Sequence, residues 1–436
     1  MLDLLAPSEL LRWELVQRRE SGYDLAGVEA DVRAALESGS PAEIDRALER
    51  LEATSLGSDW AHEEPSTLEG ILVTLPPAPS LPPMTPDADA LWERVLGGWL
   101  GRCAGCNLGK PVEGWTRGRI RRYLDLAGAH PIQDYLPVLD PFPEGLELNW
   151  CWPETTRGNV AFMARDDDLD YTILGLHVLE DHGFAFEAAD VAAEWLDHLP
   201  FNQVYTAERA AYRNLVDGLA PPETAERRNP YREWIGAQIR ADIWGYVCAG
   251  DPSRASELAF RDASVSHTRN GIYGEMWIAA LIATGFVVSD VREALEISLA
   301  YLPPRSRLVE AIRDVMAMHA GGRSWGQARD GIEERYGHYS GVHTVNNAAV
   351  VVAALLWGDG DYTRTIGLAV EGGWDTDCNG ATAGSVFGAM HGAAALPSRW
   401  VEPLHDLVRT AILGYDGSSI TDLADRTVRL ALAAQG

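Results

Sequence analysis

From residue 88 onward, apolar and small residues recur mainly with the spacing of an α-helix. Helices are predicted over segments 89–106, 170–181, 187–198, 204–217, 232–248, 253–263, 272–285, 306–319, 344–357, 363–370, 378–394 and 401–413. No sustained alternation of polar and β-branched residues separates these segments, so we predict an all-α fold built as a compact multi-helix domain. The segment 110–160 is rich in Pro, Trp and Gly and lacks this periodicity. We expect it to form an ordered loop that lines a pocket.

Two series of glycines lie within the predicted helices at intervals of four residues. They are Gly97, Gly101, Gly105 and Gly109, and Gly380, Gly384, Gly388 and Gly392. Glycine costs a helix about 1 kcal/mol per residue, so a series of glycines needs a packing reason. We therefore predict that these helices approach a neighbouring helix closely.

The chain before residue 89 divides into two parts. Residues 1–75 are predicted to form a small helical N-terminal extension, in which Ser40, Pro41 and Glu43 have the pattern of a helix start. Residues 76–88 form a Pro-rich linker, which cannot continue a helix and is expected to be extended. Residues 89–436 form the main domain. The extension contains no recognisable chemistry, and we expect it to serve in packing or oligomerisation.

The composition excludes several classes of partner. The chain has 64 Asp and Glu against 36 Lys and Arg, a net charge of −28, so strong electrostatic binding of nucleic acid or of an anionic membrane is not expected. No apolar run approaches the roughly 18 residues of a membrane span, and the first residues lack the basic stretch of a secretory signal. Five cysteines are too few for a disulfide framework in 436 residues. We therefore expect a cytoplasmic protein.

Two acidic clusters far apart in the chain carry the strongest indication of chemistry. The first comprises Asp166, Asp167, Asp168 and Asp170, and the second contains Asp375 and Asp377; each precedes an apolar run. Carboxylates so close together repel one another, and a hard cation such as Mg²⁺ relieves that repulsion because it takes oxygen ligands. The alternative is that each cluster only caps the N-terminus of a helix, where carboxylates are favoured.

Three stretches resemble the ADP-ribosylglycohydrolase family in the order in which that family has them. Residues 101–113 are similar to its G-x-x-x-G-D-x-L-G-x-P-x-E start, residues 166–176 lie where it has T-D-D-T before an apolar helix, and residues 373–400 resemble its G-x-D-T-D-T motif and the sequence that follows. The resemblance implies an all-α fold with a two-Mg²⁺ cleft. It also implies hydrolysis of the bond to ribose C1 of an ADP-ribosylated protein or small acceptor.

Three positions depart from the family pattern. Cys106 stands where the family has Asp, Leu169 aligns with its second Asp, and Cys378 replaces its final Thr. The number of ions is therefore left at one or two, and Mn²⁺ is the alternative to Mg²⁺. The substrate is open as well, because these positions surround the ribose in the family.

The resemblance assigns catalytic roles to Glu113, Asp168 and Asp375. Considered without it, Glu113 is equally well explained as a solvated loop residue. The predicted metal ligands are Asp167, Asp168, Asp170, Asp375 and Asp377. The predicted substrate-binding residues are Asn107, Trp150, Trp152, Arg157, His267, Asn270, Tyr273, Asn346, Asn347 and Asn379.

Each group of substrate-binding candidates has a structural alternative. Trp150 and Trp152 are predicted to stack on an adenine or sugar face, or else to belong to the core. Arg157 is the expected phosphate contact. His267 is either part of the pocket or a buried, satisfied histidine, and Asn346 and its neighbour either contact the ligand or cap a helix.

Three functions stay open at this point. The first is release of ADP-ribose from a modified protein or small acceptor. The second is hydrolysis of another furanoside or nucleoside on the same scaffold. The third is a catalytically silent module that binds ADP-ribose.

Overall fold

The computed structural model describes residues 4–84 and 87–435. Met1–Asp3, the linker residues Thr85 and Pro86, and Gly436 lie outside the described residues. The described residues of the predicted linker contain no helix before Ala88. The division of the chain at residues 76–88 stays a prediction.

The chain folds into helices joined by turns and by longer irregular segments such as residues 127–151. The α-helices are α1 Pro7–Glu20, α2 Glu29–Ser38, α3 Pro41–Glu52, α4 Leu68–Thr74, α5 Ala88–Gly109, α6 Arg117–Leu126, α7 Trp152–Thr155, α8 Asp167–His182, α9 Ala188–His198, α10 Thr206–Val216, α11 Glu223–Glu226, α12 Asp242–Val247, α13 Pro252–Ala263, α14 Asn270–Gly285, α15 Val291–Ser298, α16 Arg307–Ala320, α17 Trp325–Tyr336, α18 Thr344–Gly358, α19 Tyr362–Glu371, α20 Thr376–His391, α21 Ser398–Val401 and α22 Ile420–Gln435. Short 3₁₀ turns span Lys110–Val112, Gly183–Ala185, Phe201–Gln203, Gln238–Arg240, Leu299–Tyr301, Ala393–Ala395 and Glu402–Leu404.

The all-α prediction is confirmed, and two predicted helices are wrong. Segment 232–248 is helical only in α12 and a preceding 3₁₀ turn, because the Ile235 N–H bonds to the Val342 carbonyl instead of to its own chain segment. Segment 401–413 breaks at His405 and Asp406, whose φ values are 48° and 56°. Two-residue strands follow there, β1 (Leu407–Val408) and β2 (Ser418–Ser419), which pair antiparallel.

Within the described part of the main domain, four helices of eight or more residues lie outside the predicted segments: α6, α15, α17 and α22. Helix α6 occupies part of the predicted 110–160 loop. Thr116 caps it by accepting a hydrogen bond from the Arg119 N–H, and it buries only Ile120, Tyr123 and Leu124. Its many charged residues lower the apolar content of the segment, so the helical period was hard to see in the sequence.

Helices α5 and α20 pack against each other through the two series of glycines. A Cβ built on Gly101 would lie 2.2 Å from the Gly384 carbonyl oxygen, and one built on Gly97 would lie 2.5 Å from that of Gly388. The numbers of the paired glycines run in opposite directions, so the two helices are antiparallel. The prediction of close helix approach is therefore confirmed for this pair.

The N-terminal extension has a small core of its own and is tied to the main domain by buried polar contacts. Helices α1–α3 and the turn between them bury an apolar cluster that includes Leu11 and Leu51. Trp13 of α1 meets Trp234 edge to face, with the ring centroids 5.0 Å apart. The carboxylate of Glu64 pairs with Arg307 at 3.0 Å, and both side chains are buried.

Candidate metal centre

The glycine contacts between α5 and α20 set where the second acidic cluster lies. At the end of α5, a Cβ on Gly109 would stand 2.1 Å from the Thr376 carbonyl oxygen. The Thr376 hydroxyl donates a hydrogen bond to the Gly109 carbonyl at 2.8 Å. Asp375 and Asp377 therefore lie beside the C-terminal end of α5.

The first acidic cluster is bound to the same end of α5. Asp166 is the N-cap of α8 and accepts a hydrogen bond from the Asp168 N–H at 3.0 Å. Its other oxygen pairs with the buried Lys110 ammonium, one residue beyond α5. Burial opposes ionisation of Asp166, but the charge and hydrogen bond of Lys110, together with the Arg165 charge and the Asp168 N–H, outweigh it and lower the Asp166 pKa to about 2. The negative charge of Asp166 is therefore balanced by the Lys110 ammonium.

Arg102, about two turns before the end of α5, holds Asp168. Its guanidinium donates to the Asp168 carbonyl at 2.7 Å and to Asp168 Oδ1 at 3.0 Å, and it pairs with Asp242 at 2.9 Å. Asp168 Oδ2 is buried and has no hydrogen-bond partner among the residues that the structure describes. Burial raises the Asp168 pKa well above its usual value despite Arg102, and the negative charges of Asp166 and Asp377 raise it further.

The second cluster is equally buried and contains a pair of carboxyl groups in mutual contact. A hydrogen bond joins the side chains of Asp375 and Asp377. Burial raises the pKa of both groups, to about 6 for Asp377 and well above the usual value for Asp375, whose pKa the charges of Asp377 and Glu113 raise further. Within residues 4–84 and 87–435, Asp377 Oδ1 has no hydrogen-bond partner.

Both clusters line one cavity of about 380 Å³. Its charged lining consists of Lys110, Glu113, Arg165, Asp166, Asp167, Glu208, Asp375 and Asp377. Its aromatic and aliphatic lining includes Leu4, Trp150, Tyr205, Trp234, Ile239 and Val342. The cavity therefore combines a carboxylate-rich part with flat aromatic surfaces, and the N-terminal extension contributes Leu4 to its wall.

Glu113 lies at the open rim of the cavity. Its side chain is solvent-exposed, yet the charge of Asp377, together with burial and the charge of Asp166, raises its pKa well above the usual value. Asn149 holds this segment in place by donating hydrogen bonds to the carbonyls of Lys110 (3.3 Å) and Glu113 (3.0 Å).

The residues present fit a divalent cation. One ligand atom from each of Cys106, Asp166 and Asp168 lies within 4.8 Å of the others, and the same holds for Asp375, Asp377 and Cys378. Each trio contains one of the buried, unpartnered carboxylate oxygens described above. A hard cation takes such oxygens and compensates their repulsion. The cluster pattern is therefore more than helix capping, although Asp166 does serve as a cap.

Asp170 was predicted to be a metal ligand, and the structure does not place it in the cavity. Both of its oxygens are occupied: Oδ1 accepts from the Thr410 hydroxyl at 2.6 Å and the Ala411 N–H at 2.9 Å, and Oδ2 pairs with Arg165 at 2.6 Å. Asp170 also does not line the cavity. Its place on α8, one turn beyond Asp166, directs it to the 409–412 segment. Asp167, by contrast, lines the cavity, and burial with the Asp166 charge raises its pKa to about 8.

Four of the five asparagines among the predicted ligand contacts, Asn107, Asn346, Asn347 and Asn379, are fully buried and lie outside the cavity lining. Asn107 binds the Phe162 carbonyl (2.9 Å) and the Ala164 N–H (3.1 Å), and so holds the chain leading into the first cluster. Asn347 Oδ1 accepts hydrogen bonds from the Asp375 N–H (3.3 Å) and the Asn379 side chain (2.8 Å). Asn346 donates to the Ser340 carbonyl at 3.0 Å. Asn107 and Asn347 therefore hold the backbone at the two acidic segments from outside the cavity.

Of the predicted aromatic and phosphate contacts, Trp150 lines the cavity, whereas Trp152 and Arg157 do not. Trp150 lines the cavity and is 84% exposed, so its indole is available for stacking. Trp152 lies outside the lining and packs edge to face on Phe142. Arg157 also lies outside it and pairs with Asp134 at 3.0 Å. The phosphate-contact prediction for Arg157 is therefore not supported, because its charge is already paired elsewhere.

The predictions for the 267–273 segment are also corrected, since none of its residues lines the cavity. His267 is buried and its Nδ1 contacts the Ser266 hydroxyl at 2.8 Å. Asn270 donates to Glu64 and Glu233, both at 2.8 Å, and Tyr273 donates to the Pro65 carbonyl. Asn270 and Tyr273 therefore attach the N-terminal extension.

Sequence reasoning missed the cations of the site, Arg102, Lys110 and Arg165, and the positioning residue Asn149. One feature could have found Lys110: it is the only lysine in the sequence. Arg165 directly precedes the acidic cluster in the chain, which was a second usable indication.

The chain belongs to the ADP-ribosylglycohydrolase family, whose profile matches residues 86–436. Family and fold together indicate a glycohydrolase-type enzyme. Members of the family are metal-dependent, which agrees with the two acidic trios.

Similar proteins are distant in sequence. The uncharacterized protein YegU of Escherichia coli (strain K12) is 23% identical over an alignment of 323 residues, and the match covers 70% of this chain and 89% of YegU. A solved structure, described as an ADP-ribosylglycohydrolase-related protein complex, is similar with a TM-score of 0.52 and 20% identity, covering 79% of this chain and 99% of that one. This second likeness shows the fold.

Over the described ranges, none of the helices combines the length and apolar character needed to cross a membrane.

Proposed function

We propose that this protein is a Mg²⁺-dependent glycoside hydrolase that cleaves the bond at ribose C1 of an ADP-ribosylated protein or small acceptor. The observation that carries the proposal concerns one carboxylate oxygen from each acidic cluster, Asp168 Oδ2 and Asp377 Oδ1. Each is buried and lacks a hydrogen-bond partner in the described part of the chain. They come from distant segments that line, or lie directly behind, one cavity.

Asp168, Asp375 and Asp377, with Asp167, would hold the cation. Mg²⁺ prefers carboxylate oxygens and keeps several waters, and Mn²⁺ suits the same ligands. When bound, the cation supplies charge compensation and Lewis-acid stabilisation of the sugar oxygens. The carboxylates also stabilise positive charge that develops at ribose C1 as the bond breaks.

Glu113 is the proposed acid or base. The nearby Asp377 charge raises the pKa of Glu113 well above its usual value, which favours the protonated carboxyl group, and the position of Glu113 at the rim gives that proton access to a leaving group in the cavity. General acids of glycosidases have raised pKa values for the same reason, a nearby negative charge or burial.

The remainder of the cavity suits a nucleotide. Trp150, Tyr205 and Trp234 offer flat faces for an adenine or a sugar. Lys110 and Arg165 are the cations of the lining, and both are already engaged by Asp166 and Asp170. A diphosphate would compete with these two carboxylates for the cations, and the net negative charge of the protein opposes its binding. The aromatic faces therefore support a base or sugar in the cavity more strongly than the cations support a diphosphate.

A second candidate is hydrolysis of another furanoside or nucleoside. Cys378 lines the cavity at a position where the family pattern has Thr. A thiol is a weaker hydrogen-bond donor than a hydroxyl, so contacts to a ribose there would change. The third alternative, a silent ADP-ribose-binding module, requires that ligand binds without turnover.

The test is a substrate panel with Mg²⁺, with Mn²⁺ and after chelation: ADP-ribosyl-arginine, ADP-ribosyl-serine, O-acetyl-ADP-ribose and aryl furanosides. We expect metal-dependent release of ADP-ribose that falls at least about 100-fold in Asp377→Asn. Asp217→Asn, which changes an exposed aspartate, is the matched control and should retain full activity. Turnover of furanosides alone would favour the second function. Tight ADP-ribose binding without turnover of any substrate would contradict both enzymatic functions.

A further inference from the structure

A second group of potential metal ligands lies at the other end of α8. His177 and His182 are on α8, and Glu194 and His198 are on α9, four residues apart on one face of that helix. Suitable ligand atoms of His177, Glu194 and His198 all lie within 4.8 Å of one another. The catalytic proposal above uses none of these residues.

The Glu194 carboxylate is the centre of the group. Its Oε2 lies 3.0 Å from His177 Nε2 and 2.7 Å from His198 Nδ1. Its Oε1 lies 2.8 Å from His182 Nε2. The Glu194 side chain is only 10% exposed, so the three imidazoles surround a largely buried carboxylate.

A hydrogen-bond network alone does not account for this arrangement. His177 and His182 each bond to a Glu194 oxygen, which satisfies that carboxylate. His198 Nδ1, however, is buried, and within the part of the chain that the structure describes it has no hydrogen-bond partner despite its close approach to Glu194. A buried imidazole nitrogen of this kind loses free energy unless something binds it.

The groups around the cluster are those that orient metal ligands. The Tyr415 hydroxyl contacts His177 Nδ1 at 2.9 Å, which holds the ring with Nε2 directed at Glu194. A ligating histidine typically has a partner of this sort on its second nitrogen. His182 likewise orients the second oxygen of Glu194.

We propose that His177 Nε2, His198 Nδ1 and Glu194 form a binding site for Zn²⁺, with the fourth position open to water. Two imidazoles and one carboxylate are a ligand set that Zn²⁺ takes in proteins with an open position. Hard Mg²⁺ prefers oxygen ligands, so the histidine site and the acidic centre select different ions. His198 is 27% exposed, which gives an ion a path from solvent.

The proposed site would fasten α8 to α9. Asp168 and His177 lie nine residues apart on α8, which corresponds to about 13 Å along the helix. A Zn²⁺ ion at His177 would therefore brace the helix whose other end carries the first acidic cluster. This inference is independent of the proposed hydrolase function.

The test measures Zn²⁺ binding by the intact chain after chelation, in excess Mg²⁺ to occupy the acidic centre. The readouts are bound Zn²⁺ per chain and the visible absorption of a Co²⁺ substitute. We expect one tightly bound equivalent that persists in Asp377→Asn. His177→Gln and His198→Gln should weaken binding by more than about 100-fold, and His182→Gln by about 10–100-fold.

The matched control is His391→Gln, which removes an exposed histidine from α20; it should bind Zn²⁺ as the unaltered protein does. Circular dichroism establishes that each variant is folded, and the partly exposed His198 offers the variant least disruptive to packing. The proposal is overturned if the unaltered chain binds no Zn²⁺ in excess Mg²⁺, or if His198→Gln and Glu194→Gln bind it undiminished.

Discussion

Gly105 of α5 and Gly380 of α20 lie backbone against backbone, so that a Cβ built on Gly105 would stand 2.0 Å from the Gly380 carbonyl oxygen. This contact sets the distance between the two helices close to the points where α5 leads into Lys110 and α20 begins at Thr376, next to Asp377. The geometry of the acidic centre therefore depends on how closely these two helices pack.

Gly105→Ala should push the helices apart. Overpacking against backbone costs about 1–3 kcal/mol or more, because no flexible side chain can move aside. Both the free energy of unfolding in urea and the affinity for Mg²⁺ should fall. Gly118→Ala in α6 is the control: no described atom lies within 4 Å of its added Cβ, so it should be neutral or stabilising by up to about 1 kcal/mol. Equal effects of the two changes would contradict the packing argument.

Lys110→Met removes the partner of the buried Asp166 carboxylate. Breaking a buried ion pair by removing one member costs about 3–5 kcal/mol. Lys110, with Arg165 and the Asp168 N–H, lowers the Asp166 pKa to about 2 against the effect of burial, so the stabilisation from ionised Asp166 is present above the usual pKa and is lost as pH falls through about 2. Without Lys110 the acid unfolding transition, followed by circular dichroism, should move to higher pH. An unchanged midpoint would contradict the role given to this pair.

The metal-free protein should lose stability as pH rises from about 4 to 8. Burial raises the pKa of Asp377 to about 6, and that of Asp167 to about 8, so the folded state holds protons that the unfolded chain has released. For Asp377 alone, a rise from 3.8 to about 6 corresponds to roughly 3 kcal/mol. Urea unfolding at several pH values checks this.

Added Mg²⁺ should reverse the trend, because the cation requires ionised ligands. A stability that increases with pH over this range in the absence of metal would contradict the assignment of uncompensated buried carboxylates.

Glu64→Gln should weaken the attachment of the N-terminal extension. Glu64 is buried between Arg307 and Arg269, and removal of its charge leaves Glu233 as the remaining carboxylate partner of both cations, at a cost of up to about 3–5 kcal/mol. Limited proteolysis should then cut the extension faster. Glu29→Gln breaks the exposed pair with Arg19 and should cost less than about 1 kcal/mol. Equal protease resistance of the two variants would contradict the role of Glu64 in attaching the N-terminal extension.

Local pattern predicted the fold class, most of the long helices and the close glycine packing. Helical period and helix-breaking residues depend on near neighbours in sequence, which is why α8, α14 and α18 were located well. The 401–413 segment was predicted wrongly because positive φ at His405 and Asp406 is imposed by tertiary contacts.

The acidic residues of the site were found because carboxylates in close sequence carry an obvious electrostatic cost. Their countercharges were not found, since Arg102 and Lys110 meet them only after α5 and α8 have packed. For the same reason Asn270 and Tyr273 were assigned to the pocket: a polar group before an apolar helix does not reveal that Glu64, far away in the chain, is its partner.

The central claim is that both acidic clusters bind the same divalent-cation centre. The most direct measurement is a crystal structure with Mn²⁺, located by its anomalous scattering. We predict one or two Mn²⁺ ions in the cavity, with oxygens of Asp168 and of Asp377 within about 2.5 Å of the metal centre. A cavity without Mn²⁺ at a concentration that supports activity, or ions bound by only one of the two clusters, would contradict the claim.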